Sequence, residues 1–256
     1  MKSTFISSNK EGLIVLLHGS SSSSKVFKNL QLTNSVLAPT LSGHEINENT
    51  DDNDDFSFKF YKRELIKLIN SYSKPVFLIG NSIGGHLAIE ISNDIKNLKG
   101  LMIFGTPPVK KPVNFEEAFL PVAALQTFLT EHPTQEEIEE AASITVYDDK
   151  YSAMVAADFN NSNPKVRVTT VEDITNGNWL DQYKIFTELK CPKFIVSGVQ
   201  DPSVNPSYLK EVVEQSKGDA QLITIENCGH YPTLEKPEEM SEIINQIAAD
   251  IFKPLK

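Results

Sequence analysis

The sequence predicts an α/β fold in which a mostly parallel central sheet is flanked by helices and carries an inserted helical cap. Short, continuous apolar runs recur along the chain, and such runs are typical of strands that are buried on both faces of a parallel sheet. Stretches with helical spacing of apolar residues lie between these runs, and this alternation favours parallel strands. One long segment without a convincing strand interrupts the alternation, and it predicts the cap.

The predicted strands and helices follow one another along the chain. A short strand is expected directly after Met1–Thr4. Six further strands are predicted at Leu13–Leu17, Val36–Ala38, Val76–Ile79, Leu101–Phe104, Phe194–Ser197 and Leu222–Ile225, all buried on both faces. Helices are predicted where apolar residues recur three or four positions apart, at Phe56–Ser71, Gly85–Asn93 and Glu238–Phe252.

Residues 109–181 are predicted to form the cap, and residues 1–108 and 182–256 the core that it interrupts. Helical patterns follow one another in the cap, at Phe115–Leu129, Thr134–Ser143 and Asp148–Asn160. An insertion at this point lies over the carboxyl ends of the strands, where ligands bind in such sheets. The apolar side chains of the cap either line a substrate cavity or pack the cap onto the core: Phe115, Phe119, Leu125, Phe128, Met154 and Trp179.

Composition and charge narrow the class of protein. The chain has 256 residues and a formal net charge of −10, which argues against nucleic acid or an anionic membrane as a partner. Its apolar runs have the length of strands, so no membrane span is expected, and no apolar leader marks the chain for export. Two cysteines, Cys191 and Cys228, are too few for a disulfide framework and favour reduced thiols in a cytoplasmic protein.

A serine between two glycines is the most specific candidate for catalysis. Gly80, Ser82 and Gly84 lie between a predicted strand and a predicted helix. A nucleophile elbow requires this arrangement, because the turn is too tight for side chains two positions before and after the serine. It lifts the hydroxyl above the sheet, beside unpaired N–H groups that stabilise negative charge. Ser82 is therefore the predicted nucleophile, and a structural glycine-rich crossover loop is the alternative.

A serine hydroxyl needs a base to take its proton and an acid to orient that base. His230 follows the last predicted strand, and Asp201 follows the strand before it, so both are expected at the sheet edge that carries Ser82. His230 is the predicted base and Asp201 the predicted acid. A structural histidine and a turn-capping aspartate are the alternatives. The backbone N–H groups of Ser20 and Ile83 are predicted to form the oxyanion hole.

The other four histidines are expected to serve mainly structural roles. His18 is expected to hydrogen-bond backbone groups and shape its loop, and His44 is expected to organise a second loop. His86 lies one helical turn past the predicted nucleophile and is expected to pack beneath the sheet. A contact with substrate is left open for His132, which lies in the predicted cap.

No cofactor and no metal ion are expected. The histidines are scattered along the chain and do not form a metal-ligand cluster. The acidic stretch Glu48–Asp55 is most simply a surface loop that ends in a helix N-cap. A calcium loop is disfavoured there, because the stretch lacks the spaced glycine and the terminal glutamate of such loops.

Five short motifs, taken in order, resemble the α/β-hydrolase superfamily. They are His18–Gly19, Ser42–His44, Gly80–Gly85, Gly198–Pro202 and Gly229–Pro232. The resemblance covers Leu13 to Phe252 and implies an α/β-hydrolase fold with a triad in the chain order Ser82, Asp201, His230. The superfamily normally begins with an antiparallel hairpin. Because little sequence precedes Leu13, the resemblance implies a shortened hairpin here.

The chain also resembles the metal-independent N-acyl-homoserine lactonases of this fold, which open a lactone ring with a serine nucleophile. The similar stretches are His18–Ser23, Gly84–His86 and Gly100–Val109. Two positions depart from that pattern: Ser20 stands where such a lactonase carries asparagine, and the acid is Asp201 instead of glutamate. The resemblance implies a serine hydrolase whose partner is a small acyl molecule, either a carboxylic ester or a lactone such as an N-acyl-homoserine lactone.

Two other functions stay open on the sequence. The pattern at residues 80–85 also resembles carbon–carbon bond hydrolases of the meta-cleavage-product type, whose dicarboxylate substrates favour arginine in the pocket. This chain has only Arg63 and Arg167. A receptor that binds a small molecule without converting it is the other possibility on this fold. Haloalkane dehalogenases and epoxide hydrolases are excluded, because they need aspartate where Ser82 stands.

Overall fold

Seven strands form one sheet in the computed structural model, which describes residues 1–45 and 54–253. In chain order the strands are Lys2–Ile6 (β1), Leu13–Leu17 (β2), Ser35–Thr40 (β3), Val76–Asn81 (β4), Leu98–Phe104 (β5), Lys193–Gly198 (β6) and Ala220–Ile225 (β7). Their order across the sheet is β1-β3-β2-β4-β5-β6-β7. β1 is antiparallel to β3 and every other neighbouring pair is parallel, which confirms the predicted fold class.

Helices lie in each connection from β3 onward and after β7. They are Phe58–Ile69 (α1), Ile83–Ile91 (α2), Phe115–Ala118 (α3), Gln135–Thr145 (α4), Ser152–Asn160 (α5), Pro164–Thr175 (α6), Gln182–Glu188 (α7), Pro206–Glu214 (α8), Pro232–Glu235 (α9) and Pro237–Ile251 (α10). Short 3-10 turns occur at Ser24–Phe27, Ser92–Asp94, Ala123–Leu129 and Asp149–Tyr151. Over residues 1–45 and 54–253, no helix combines the length and the apolar character that crossing a membrane requires.

Alternate residues of the central strands pack against opposite layers of helices. In β2, Leu13, Val15 and Leu17 belong to the apolar cluster that includes residues of α1, α2, α7 and α8. Ile14 and Leu16 point the other way, into the cluster that includes residues of α10. Each of the five side chains is at most 1 % exposed. Burial on both faces explains why this strand is apolar at every position.

The six predicted apolar strands and the three predicted core helices are confirmed, with differences of a few residues at their ends. The predicted burial of Leu222–Ile225 on both faces is wrong. This stretch belongs to β7, the edge strand of the sheet, and only Ile225 among its residues is buried. An edge strand pairs with one neighbour only and is covered less completely, which the apolar pattern of the segment does not reveal.

The long connection between β5 and β6 carries α3 to α7, and its described residues include no regular strand. The predicted helix Phe115–Leu129 is wrong as one element, because it consists of α3 and a separate 3-10 turn at Ala123–Leu129. Pro121 lies between the two pieces, and proline removes a helical hydrogen bond and clashes with the preceding turn. The sequence does not predict α6 or α7. The cap boundaries, residues 109–181, stay a prediction.

A third apolar cluster joins this connection to the chain that follows β7. Ile138 and Ala142 of α4 and Phe159 of α5 pack with Tyr231 and Leu234, which follow β7. The α4–α5 pair is thereby fixed against Tyr231, which directly follows His230 in the sequence. The β5–β6 connection thus covers the edge where side chains from several strand ends meet.

The acidic stretch Glu48–Asp55 lies mostly outside the described residues, which omit 46–53 and 254–256. Its described end supports the start of α1: the N–H of Ser57 donates to Asp55 Oδ1 over 2.8 Å. Ser57 is the N-cap, and its hydroxyl accepts a hydrogen bond from the N–H of Phe60. The prediction that this stretch itself ends in the N-cap is wrong: the N-cap is Ser57, two residues beyond Asp55, because α1 begins at Phe58 instead of Phe56.

Candidate active site

Ser82 occupies a tight turn between β4 and α2. Its backbone has φ 50° and ψ −122°, a conformation that costs about 1–3 kcal/mol in a residue other than glycine. A Cβ atom at Gly80 would lie 2.4 Å from the Gly84 carbonyl oxygen, and one at Gly84 would lie 2.3 Å from the Leu17 carbonyl oxygen. Both contacts are with backbone atoms, which cannot move aside. The absence of room for side chains at these two positions, expected for an elbow, is confirmed.

Two backbone N–H groups beside Ser82 are unpaired. Within the described part of the chain, the N–H groups of Ile83 and Ser20 donate no hydrogen bond. The loop of Ser20 lies against the turn, since a Cβ atom at Gly19 would lie 3.2 Å from Ser82 Cβ. Ser20, Ser82 and Ile83 all line one cavity. Free N–H groups beside a candidate nucleophile are suited to hold an oxyanion.

Asp201 and His230 form a buried, hydrogen-bonded pair. Asp201 lies in the turn after β6 and His230 in the turn after β7, and His230 Nδ1 donates to Asp201 Oδ2 over 2.9 Å. His230 lines the same cavity as Ser82, so the structure brings the three predicted residues to one edge of the sheet. Among the described residues, the Ser82 hydroxyl makes no hydrogen bond with His230. Such bonds in unliganded enzymes often form only when substrate is bound.

A fourth side chain, Ser203, joins this pair. Its hydroxyl donates to Asp201 Oδ1 over 2.6 Å, and it lies 3.0 Å from His230 Nδ1, from which it accepts. Its backbone N–H also donates to Asp201 Oδ1, over 2.9 Å. Sequence reasoning missed Ser203. The only available signal was its place two residues after the predicted acid, where serine and aspartate commonly hydrogen-bond in a turn.

Burial and pairing act in opposite directions on the pKa of each partner. Burial lowers the pKa of His230, but the charge and hydrogen bond of Asp201 outweigh it and raise this pKa above its ordinary 6.5. Burial raises the pKa of Asp201, but the charge and hydrogen bond of His230 and the hydrogen bonds of Ser203 outweigh it and lower this pKa. The pair therefore favours a carboxylate beside an imidazolium, the form that a general base reaches after taking a proton.

Hydrogen bonds from several directions hold the loop that carries His230. The His230 N–H donates to the Thr145 carbonyl over 2.8 Å, and Asn81 Nδ2 donates to the His230 carbonyl over 3.3 Å. The buried Glu235 carboxylate accepts from the N–H of Gly229 over 2.9 Å. Burial raises the pKa of Glu235, although several backbone N–H groups act against this shift. These contacts fix the backbone on both sides of the imidazole.

The cavity above Ser82 and His230 has a volume of about 550 Å³ and is lined mainly by apolar side chains. Five of the six apolar residues singled out in the predicted cap contribute to its wall: Phe115, Phe119, Leu125, Phe128 and Trp179. The sixth, Met154, packs instead against the α4–α5 cluster. A cavity of this size and lining suits a small molecule with an apolar tail.

Two of the other four histidines, His18 and His44, organise loops. His18 Nδ1 donates to the Gly19 carbonyl over 2.8 Å and Nε2 accepts from the Leu41 N–H over 2.9 Å, which confirms its role in shaping the loop. Burial lowers the pKa of His18 to about 4, so it is neutral. His44 contacts the Ser42 carbonyl over 3.3 Å and packs on His18, as expected of a loop organiser.

The predicted place of His86 beneath the sheet is wrong. His86 lines the cavity, because its position four residues after Ser82 places it on the same side of α2. His132 does not belong to the cavity wall. Its side chain is 75 % exposed, 3.5 Å from Glu131, so a contact with a molecule in this cavity is not supported.

Neither arginine lies in the cavity wall. Arg167 is buried, and its guanidinium donates to the carbonyls of Thr130 and Glu131 and to the hydroxyls of Ser21 and Ser162. The other arginine, Arg63, is exposed on α1. The described residues include no group of three or more His, Cys, Asp or Glu side chains placed to hold a metal ion.

Comparison with known proteins places this geometry in a family. The model of the alpha/beta hydrolase family matches residues 14–243. Monoacylglycerol lipase ABHD6 of Mus musculus is 24 % identical over 204 residues, which are 73 % of this chain and 59 % of that protein. The chain therefore spans less than two thirds of the length of that relative.

Solved structures share the fold. The N-acyl homoserine lactonase AidH complexed with N-butanoyl homoserine superposes with a TM-score of 0.86 at 24 % identity, covering 99 % of this chain and 94 % of that chain. A thermophilic esterase from Thermogutta terrifontis superposes with a TM-score of 0.78 at 17 % identity, covering 98 % of this chain and 94 % of that chain.

Proposed function

The chain belongs to the alpha/beta hydrolase family, and we propose that within this family it is a serine hydrolase that cleaves a carboxylic ester or a lactone through an acyl-enzyme on Ser82. The observation that carries the proposal is the convergence of Ser82, the Asp201–His230 pair and two free backbone N–H groups on one apolar cavity. Such a set of groups attacks an activated acyl carbon.

In the proposed acylation, the Ser82 oxygen attacks the substrate carbonyl carbon while His230 Nε2 takes the hydroxyl proton. The Asp201 carboxylate holds the imidazole by Nδ1 and stabilises the imidazolium. The N–H groups of Ser20 and Ile83 hold the oxyanion, and loss of one such donor typically costs about 3–4 kcal/mol of transition-state stabilisation. His230 then returns its proton to the leaving oxygen, and the bond between that oxygen and the carbonyl carbon breaks.

In the proposed deacylation, water takes the place of the leaving group. His230 removes a proton from the water, the hydroxyl adds to the acyl carbon, and the ester bond to Ser82 breaks. The Ser82 oxygen recovers a proton from His230, and the product is a carboxylic acid. With a lactone, the acid and the released hydroxyl are parts of one ring-opened molecule.

The apolar wall of the cavity supports a substrate with an acyl chain, and the β5–β6 connection supplies most of that wall. We propose that residues 109–181 act as a cap whose packing sets the chain-length preference. The structural likeness to the lactonase AidH makes N-acyl homoserine lactones the first substrates to test. The low cysteine count supports a cytoplasmic site of action.

The test compares N-acyl homoserine lactones of short, medium and long acyl chain with p-nitrophenyl esters of matched acyl length. Acid release is followed for the wild type and for Ser82→Ala. We expect Ser82-dependent opening of the lactones with kcat/KM well above that for the esters, and a clear chain-length optimum because aromatic side chains line the cavity. Ester cleavage alone would restrict the protein to ester hydrolysis, and failure to cleave either class would contradict the proposal.

The two other functions that the sequence left open receive less support. A meta-cleavage-product hydrolase needs cations for a dicarboxylate, and the Arg167 guanidinium is occupied by carbonyl and hydroxyl oxygens outside the cavity. A receptor has no need of an ordered Asp201–His230 pair beside a strained Ser82. A cavity ligand that raises the melting temperature and is recovered unchanged would favour the receptor.

A further inference from the structure

His86 is a polar side chain in the apolar wall of the cavity. It lies one turn into α2, and its backbone N–H donates to the Ser82 carbonyl over 3.0 Å. Ser82 is the N-cap residue of α2, so His86 lies in the first turn of the helix that begins at the candidate nucleophile. The ring packs beside Trp179, with centroids 4.6 Å apart, and both side chains line the cavity. His86 is therefore within reach of a molecule that is bound to Ser82.

A chain of hydrogen bonds leads from His86 to the protein surface. His86 Nδ1 lies 2.6 Å from Gln182 Oε1, and Gln182 Nε2 donates to Glu90 Oε1 over 3.0 Å. The second oxygen of the Glu90 carboxylate pairs with Lys62 over 2.7 Å, and the Leu180 N–H also donates to Glu90 Oε1. The Glu90 side chain is fully buried, whereas Lys62 is partly exposed.

This chain fixes the tautomer of His86. A carboxylate can only accept, so the Gln182 group nearest Glu90 is the amide NH₂ and the group nearest His86 is the carbonyl oxygen. Nδ1 of His86 must then carry the hydrogen that the Gln182 carbonyl accepts. In a neutral imidazole the other nitrogen is an acceptor. Burial lowers the pKa of His86 to about 4, outweighing the hydrogen bond that His86 donates to Gln182, so the ring is neutral near pH 7.

His86 Nε2 is thus an acceptor that the protein leaves unused. It has no hydrogen-bond partner among the described residues. The Nε2 atom of His44 is fully buried and unpaired, whereas His86 Nε2 is not fully buried. An unpaired acceptor in a mainly apolar wall loses free energy unless the bound molecule supplies a donor.

We propose that His86 Nε2 accepts a hydrogen bond from an N–H or O–H group in the acyl part of the substrate and so selects acyl compounds with a donor close to the reacting carbonyl. This inference rests on the proposed attack by Ser82. The carbonyl carbon approaches the nucleophile to about 3–3.5 Å, so a donor two or three bonds from it comes near a side chain one helical turn away. An α-amido ester or an α-amido lactone carries such a donor, and a simple alkanoate does not.

The test uses two p-nitrophenyl esters that differ in one group. The N-acetylglycinate has N–H next to the α-carbon, and the levulinate has CH₂ at the same position. We expect the wild type to prefer the N-acetylglycinate in kcat/KM by about tenfold after subtraction of the spontaneous reaction, as one buried hydrogen bond provides. In His86→Phe this preference ratio is expected to fall to about one, and His86→Gln, which keeps an acceptor oxygen, is expected to recover part of it.

A ratio near one in the wild type, or a ratio that His86→Phe leaves unchanged, would overturn the inference. Failure to hydrolyse either ester in a Ser82-dependent manner would count against the proposed function instead. A measurement without turnover separates the two cases: ¹⁵N shifts of His86 in Ser82→Ala with each intact ester. We expect Nδ1 protonated, Nε2 unprotonated, and an Nε2 shift that moves only with the N-acetylglycinate. A protonated Nε2, or equal shifts with both esters, contradicts the inference.

Discussion

Replacing Ser82 by alanine is expected to lower kcat for ester or lactone hydrolysis by about 10⁵–10⁶-fold, the scale seen when the nucleophile of a triad is removed. The pair Asp201–His230 has no other hydroxyl to activate at the elbow, so only substrate binding and the oxyanion donors remain. The fold loses one partly buried hydroxyl and keeps the same backbone. Thermal unfolding should therefore give a melting temperature close to that of the wild type.

The matched control for this substitution is Ser207→Ala. Ser207 is exposed near the start of α8, away from the cavity wall. The substitution Ser207→Ala makes the same chemical change as Ser82→Ala, since it replaces a hydroxyl by a hydrogen. Its kcat and melting temperature should both stay near wild-type values. Wild-type turnover in purified Ser82→Ala protein would remove Ser82 as the nucleophile. A large fall in the melting temperature of Ser82→Ala would show instead that this variant loses activity because it unfolds.

Replacing Asp201 by asparagine is expected to lower kcat by about 10⁴-fold, the scale seen when the acid of a triad becomes an amide and the wrong imidazole tautomer is favoured. An asparagine NH₂ in place of Oδ2 cannot accept the Nδ1 hydrogen, which must then move to Nε2. His230 in that tautomer has no lone pair to offer Ser82. Steady-state kinetics on the best substrate of the wild type measures the loss.

The same variant tests the direction of the His230 pKa. Burial lowers this pKa, the charge and hydrogen bond of Asp201 are the main causes that raise it, and the charge of Glu235 adds to them. The base must be neutral to act, so wild-type kcat/KM should fall as the pH drops through a value above 6.5. In Asp201→Asn the residual activity should fall at a lower pH, because burial then acts without the carboxylate. If kcat/KM falls at the same pH in both proteins, a group other than His230 controls the pH dependence.

Ser203→Ala provides the comparison for Asp201→Asn. The hydroxyl of Ser203 touches both partners of the pair, but the bond between His230 Nδ1 and Asp201 Oδ2 survives its removal. The loss in kcat should therefore be far smaller than in Asp201→Asn. A loss as large as that of the acid itself would mean that the orientation of His230 depends on Ser203 as much as on Asp201.

The fold and the meeting of Ser82, Asp201 and His230 at one edge of the sheet could be predicted because the signals for them are local. Burial on both faces makes β2 apolar at every position, and the steric demands of the elbow force glycine at positions 80 and 84. Asp201 and His230 each directly follow a strand end, and parallel strands bring their carboxyl ends to one edge. Short-range patterns were therefore enough to place the pair near Ser82.

The rest of the site depends on contacts between distant parts of the chain. Glu90 and Gln182 are far apart in sequence, and no local pattern indicates that they fix the tautomer of His86. The edge position of β7 follows from strand order, which its apolar residues do not encode. Pro121 was visible in the sequence, yet a helix was predicted across it because the apolar spacing continued on both sides. The connection between β5 and β6 is thus the least predictable part of the described structure.

The formation of an acyl-enzyme on Ser82 is tested most directly by quenching a reaction with p-nitrophenyl butyrate in acid within the first turnovers and mapping the protein by peptide mass spectrometry. We expect one butyryl group in the wild type, carried by the peptide that contains Ser82. Ser82→Ala should carry none. A butyryl group on another residue, or full turnover with no acylated peptide at any time, would contradict the mechanism.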